Sequence, residues 1–158
     1  MPSKIDYLWE NVNDGGERSV GMYIFSPETR AYFKTLSEIG TRTNATSREM
    51  GKEKKLKVST EQEAQDRKAA YLKYAREFKE QENEIRRLNP PESIKDEHEE
   101  LISSYWKFTQ AAENSLKALD LYNLINDAGL AETSEHYQVE AASEIEMIIM
   151  NMIVRIMF

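Results

Sequence analysis

Residues 60–91, TEQEAQDRKAAYLKYAREFKEQENEIRRLNPP, and residues 92–127, ESIKDEHEELISSYWKFTQAAENSLKALDLYNLIND, decide the fold. In the first stretch Ala64, Tyr71, Tyr74, Phe78, Ile85 and Leu88 recur at intervals of three, four and seven, the period of one helix face. Thr60 and Glu63 have capping-box spacing, which lets each side chain satisfy the other residue's backbone N–H. Arg67, Lys68, Lys73, Glu77, Lys79 and Glu80 fall on the other side and read as a solvated surface. Asn89-Pro90-Pro91 ends the helix, because a residue before proline avoids helical geometry. Beyond the hinge, Ile94, His98, Leu101, Tyr105, Phe108, Ala112, Leu119 and Tyr122 form a second stripe, broadened by Leu116, Leu121, Leu124 and Ile125. This predicts an unbroken helix roughly 50 Å long, with Gly129 as its C-terminal stop. Two such helices joined at a proline hinge make a helical hairpin.

Working outward, Ser26-Pro27-Glu28 opens an earlier helix: serine caps free N–H groups, proline fits the first position, and glutamate suits the positive end. Its stripe is Tyr32, Leu36, Ile39, Thr43 and Met50; Gly40 and Gly51 weaken it, so an end near Glu49 is expected. The lysine-rich segment 51–57 then reads as an exposed basic connection. A last helix is expected from Thr133 or Ser134, with Tyr137, Ala141, Ile145, Ile148, Met152 and Ile156 on one face. Residues 1–25 differ: Tyr7-Leu8-Trp9 and the apolar run from Val20 to Phe25 flank Asn13-Asp14-Gly15-Gly16. That pattern suits a short hairpin or an extended arm whose aromatics dock on the bundle. We favour the arm or a poorly paired hairpin, since two strands alone are marginal without a sheet to join. The expectation is an all-α, elongated three- to four-helix bundle over 26–158, with a non-helical N-terminal arm or short hairpin over 1–25.

The chain of 158 residues has a formal charge of −7 and 31% charged residues, which disfavours general affinity for nucleic-acid phosphates. It has no cysteine, so disulfides, thiolate metal sites and cysteine nucleophiles are excluded. The N-terminus shows no apolar secretory core, and no run is long enough to span a bilayer. As written the chain reads as cytoplasmic; as a fragment cut from its export signal it reads as extracytoplasmic.

Catalytic constellations are missing from the pattern. Neither His98 nor His136 belongs to a Glu-x-x-His pair, and His98-Glu99-Glu100-Leu101-Ile102 lacks the second histidine of a zinc-protease motif. His98 is expected to pack along a helix seam with one nitrogen bonded locally. The run Asp96-Glu97-His98-Glu99-Glu100 reads as a solvated helix start, where negative charge favours the dipole. No phosphate-binding glycine loop or Gly-x-Ser-x-Gly elbow occurs. No cofactor or metal is expected, and the aromatics Tyr71, Tyr74, Phe78, Tyr105 and Phe108 read as core. Trp106 falls beside the stripe and is a candidate flank contact.

The sharper feature is the chain end. Between Met147 and Phe158 only Asn151 and Arg155 are polar, so this helix is apolar nearly all round and must be covered on most sides. Met147, Ile149, Met150, Ile153, Met157 and Phe158, with Trp106, are the candidate partner-binding residues. The cover is either the rest of the fold or a protein partner or second copy. Membrane-surface insertion ranks last, because a basic polar face is missing.

Leu88-Asn89-Pro90-Pro91, followed by His98, Leu101, Tyr105 and Ala112, resembles a helical domain of extracytoplasmic lipoproteins of Gram-positive bacteria over roughly residues 27–125. The resemblance implies a membrane-tethered bundle without catalytic residues. The chain departs from the family pattern in carrying neither a signal segment nor a lipid-bearing cysteine. The functional expectation is a non-enzymatic helical binding or interaction module, with the cell envelope as the location the resemblance implies. The alternative is an acidic inhibitor protein of a mobile element that binds a basic protein surface.

Overall fold

The computed structural model describes residues 25–120, 125–126 and 128–157, with side-chain surroundings for 25–119 and 132–157. The expected arm or hairpin therefore lies, apart from Phe25, outside the described residues. Four helices dominate: α1 (Pro27–Lys55), α2 (Glu61–Arg87), α3 (Lys95–Lys117) and α4 (Ala128–Met157). A 3-10 turn, Glu92–Ile94, leads into α3. A two-residue antiparallel pair, β1 (Leu119–Asp120) with β2 (Ile125–Asn126), joins α3 to α4.

Successive helices run antiparallel. Along α1 and α2 the contacts Arg42–Glu84, Glu49–Lys73 and Glu53–Arg67 step in opposite directions. Glu97–Arg155, Ser104–Glu144 and Ser115–Ser134 do the same for α3 and α4. The bundle closes where Gln138 of α4 donates to Ser47 Oγ of α1 at 2.6 Å.

The expected stripes are the buried faces. Tyr32, Phe33, Leu36, Ile39, Ile85, Ile94, Leu101, Tyr105, Ile148 and Met152 form one apolar cluster. Met50, Tyr71, Tyr74, Phe78, Phe108, Ala112 and Ala141 form the other. Between them sits a polar layer: Thr43 donates to Gln81 Oε1 (2.9 Å), Gln81 to Thr46 (3.2 Å), and Thr109 to Glu82 Oε1 (3.1 Å). Sliding one helix by a turn would strand these groups without partners, so the layer locks register.

Local capping follows the sequence with one change. Ser26 Oγ accepts from Thr29 N–H, and Thr60 Oγ1 from Glu63 N–H, both at 3.2 Å. The Glu63 carboxylate reaches back to Ser59 N–H rather than to that of Thr60.

Three boundaries differ from expectation. Helix α3 stops at Lys117, about 35 Å long; Ala118 N–H bonds the carbonyls of Asn114 and Leu116, and the paired segments 119–120 and 125–126 take over the backbone. Gly129 consequently lies in the first turn of α4, which begins at Ala128, not near Thr133. Helix α1 runs through Gly40 and Gly51 to Lys55, because Met50 is fully buried and α2 caps its end. Tertiary contacts of that kind outweigh a glycine penalty of about 1 kcal/mol each.

Candidate partner-binding face

Helix α4 presents two apolar faces. Ala141, Ile148, Ile149 and Met152 are buried, and Ile145, Ile153 and Ile156 pack partly against the core. On the opposite side Met147 (61% exposed), Met150 (40%), Val154 (52%) and Met157 (40%) face outward, with Val139 further up the helix. The intervals from Met147 to Met157 are three, four and three, so these four occupy a sector of roughly 80° at the spacing of a coiled-coil seam. Among the described residues the other large exposed apolar side chains, Leu56, Leu72 and Trp106, are scattered over three elements. The α4 row is the contiguous patch.

Its flank toward α3 is fixed by charge. Lys107 Nζ donates to Glu140 Oε1 at 2.7 Å and to Glu144 Oε1 at 2.6 Å, while Ser104 donates to Glu144 Oε2 at 2.8 Å. Those carboxylates raise the Lys107 pKa. Partial burial pushes Glu144 upward, but the bonds from Lys107 and Ser104 outweigh it and leave its pKa lowered. Arg155 lies 2.7 Å from Glu97, and Trp106 meets Tyr137 edge-on with ring centres 6.1 Å apart. Helix α4 carries five glutamates, at 132, 135, 140, 144 and 146, against Arg155 alone among lysine and arginine. With Arg155 engaged by Glu97, and Glu140 and Glu144 by Lys107, the α4 carboxylate that adjoins the row is Glu146, next to Met147.

Several residues expected on the surface are interior. Arg67 is buried and donates to the Glu53 and Leu56 carbonyls, because α1 extends far enough to need a C-cap there. Glu97 is buried beside His98, since the 3-10 turn swings the start of α3 against α1 and α4; only Asp96, Glu99 and Glu100 of that run are exposed. His98 packs on the seam as expected, but its Nδ1 partner is distant in sequence: the Tyr32 hydroxyl at 2.7 Å. Burial pushes the Tyr32 pKa up and the His98 pKa down, Glu99 opposing the latter, so burial favours the neutral form of both, and the histidine tautomer sets which of them donates. Lys54, read as part of an exposed basic loop, is half-buried beside Gln138, and desolvation lowers its pKa.

These polar groups are spent on structure. Among the described residues no three His, Asp or Glu side chains are placed to hold a metal ion. A cleft of about 350 Å³ between α1 and α2 is lined by Arg42, Glu49, Lys73 and Glu77. Its cations are already paired, Arg42 with Glu84 at 2.7 Å and Lys73 with Glu49 and Glu77 at 3.6 and 3.7 Å. No described helix is long and apolar enough to cross a membrane.

Of the candidate residues, Met147, Met150 and Met157 share the outer face, and Trp106 borders α4 through Tyr137. Ile149 and Ile153 turn inward, a correction that follows from their position one and five residues after the buried Ile148. Phe158 lies outside the described residues. Val154 and Val139 were missed; heptad spacing from Met147 to Val154 was the signal available for the first. No protein-family model, curated protein or solved structure matches the chain.

Proposed function

We propose that the protein is a non-enzymatic interaction module whose outer α4 face receives a cationic amphipathic helix of a partner protein. The observation that carries this reading is the outward row Met147, Met150, Val154 and Met157 on a helix whose other face already fills the core. Methionine-rich surfaces repack readily around a partner helix. The Glu146 carboxylate beside the row favours a basic partner and disfavours an anionic lipid surface. The likeness of residues 27–125 to lipoprotein helical domains supports, within the same proposal, a place at the cell envelope.

The test is calorimetric titration of the full chain with a model Leu/Lys amphipathic helix and with a scrambled peptide of equal charge. Binding of the amphipathic form alone, weakened about tenfold or more by Val154→Asp, is expected. Equal binding of both peptides, or preference for anionic vesicles, overturns the reading.

A second reading, an acidic inhibitor of a basic protein surface, draws on the net charge of −7 and the exposed Asp96, Glu99 and Glu100. It requires that lysine substitutions at those three positions, rather than Val154→Asp, abolish binding.

A further inference from the structure

We propose that in the free protein the outer face of α4 is covered by the same face of a second copy, the two helices antiparallel about a two-fold axis level with Met152. A paired chain cannot receive a partner helix, so the pairing regulates the site; that regulatory meaning rests on the partner-binding role proposed above.

Register is the first argument. The intervals three, four and three along Met147, Met150, Val154 and Met157 read the same from either end. Turned end over end about the level of Met152, the row meets itself: Met147 faces Met157 of the second copy, and Met150 faces its Val154. These are successive layers of an apolar heptad seam. Met152 itself points into the core on the opposite side of the helix, so the pairing draws nothing from the bundle.

Charge decides the direction. In a parallel pairing the two Glu146 carboxylates would sit at one level beside the seam. Antiparallel, they lie about 18 Å apart along the axis, beyond the screening length of about 8 Å at physiological salt. Glu140 and Glu144, already engaged by Lys107, lie farther out still. Asn151, exposed on the flank, comes within about 3 Å of its own copy along the axis. An amide both donates and accepts, so it can bond that copy.

Area sets the strength. The row offers on the order of 400 Å² of apolar surface per copy, about half of what each side contributes to a standard stable interface. The contact is isologous and closed, so it stops at two chains. It is also weak enough to yield. A partner helix with a basic side chain opposite Glu146 gains a charge pair that the second copy does not bring, and so displaces it.

Sedimentation of the full chain from about 10 µM to about 1 mM should show the weight-average mass rise from one chain toward two. A single chain throughout, or growth beyond two, overturns the proposal. Val154→Asp should stay single at the highest concentration with its circular dichroism unchanged; a dimer that persists overturns it. Direction is read by mild oxidation, made direct by the cysteine-free chain. A mixture of Met147→Cys and Met157→Cys chains should form the mixed disulfide about tenfold faster than either chain links to itself, because like positions lie about 15 Å apart. Equal rates, or faster self-linking, overturn the antiparallel arrangement. Amphipathic-peptide affinity should fall about threefold where about two thirds of the chains are paired; an affinity indifferent to pairing overturns the regulation. A dimer that binds no peptide even when diluted to single chains would sink the partner reading and leave the pairing standing. Peptide binding by a chain that stays single at every concentration would do the reverse.

Discussion

The guanidinium of Arg67 on α2 holds the last turn of α1: its Nη2 donates to the Glu53 carbonyl at 2.7 Å and to that of Leu56. The Glu53 oxygen also accepts from the Leu56 N–H at 3.1 Å, so the guanidinium closes a helix C-terminus whose last carbonyls lack the usual donors of a following turn, and the site is nearly closed to water, Arg67 being 8% exposed. Replacing Arg67 by methionine should destabilise the fold by about 2–3 kcal/mol, the range for charged hydrogen bonds left unmade. Arg67→Lys should recover only part of the loss, because an ammonium lacks the second nitrogen, Nε, which the guanidinium sets 3.6 Å from Glu53 Oε1. Urea unfolding measures both; a loss under about 0.5 kcal/mol would mean that water caps the helix equally well.

Gly40 and Gly51 lie inside α1, and a Cβ added at either meets nothing within 4 Å. Gly40→Ala and Gly51→Ala should each stabilise by about 0.5–1 kcal/mol, chiefly by restricting the unfolded chain. Thermal unfolding midpoints should rise for each variant and add in the double variant. A fall in either would show that the helix needs glycine for a reason other than space.

His98 ties stability to pH. Its folded pKa lies below the ordinary 6.5 because burial disfavours the cation. The unfolded chain therefore binds the proton first as pH falls. Stability from this site is complete above about 6.5 and declines as pH drops toward the folded value. His98→Gln should flatten that part of the stability profile in urea titrations between pH 7 and 5. An unchanged slope in the variant would assign the dependence to other groups.

Neighbours on α4 should behave oppositely. Ile149 is 6% exposed and Val154 is 52% exposed. Ile149→Asp buries a carboxylate in the core and should destabilise by more than about 3 kcal/mol. Val154→Asp should stay within about 0.5 kcal/mol of the parent. Light scattering beside thermal melting checks both, and comparable losses at the two positions would contradict the two-faced reading of α4.

Much of the bundle is legible in the sequence. Apolar residues at helical spacing from Tyr32 to Met50, Ala64 to Ile85 and Ile94 to Ala112 are buried where the period places them. The stop at Pro90-Pro91 and the caps at Ser26 and Thr60 hold as local chemistry. The break after Lys117 was hidden because Leu116, Leu119, Leu121, Leu124 and Ile125 continue the apolar pattern through the place where the chain reverses. Periodicity shows which residues avoid water, not where backbone hydrogen bonding changes partner.

The candidate face was legible only in part. An excess of apolar residues between Met147 and Phe158 pointed to the right helix, but not to which of them pack inward.

By itself, then, the sequence determined the helical class, the hinge and the inward stripes, because propensity, capping and proline geometry act within a few residues. Only the tertiary structure decided that Arg67 and Glu97 are interior while Met147, Met150, Val154 and Met157 are not. Burial of a given side chain depends on which neighbour arrives from tens of residues away, and helical spacing alone carries no record of that arrival.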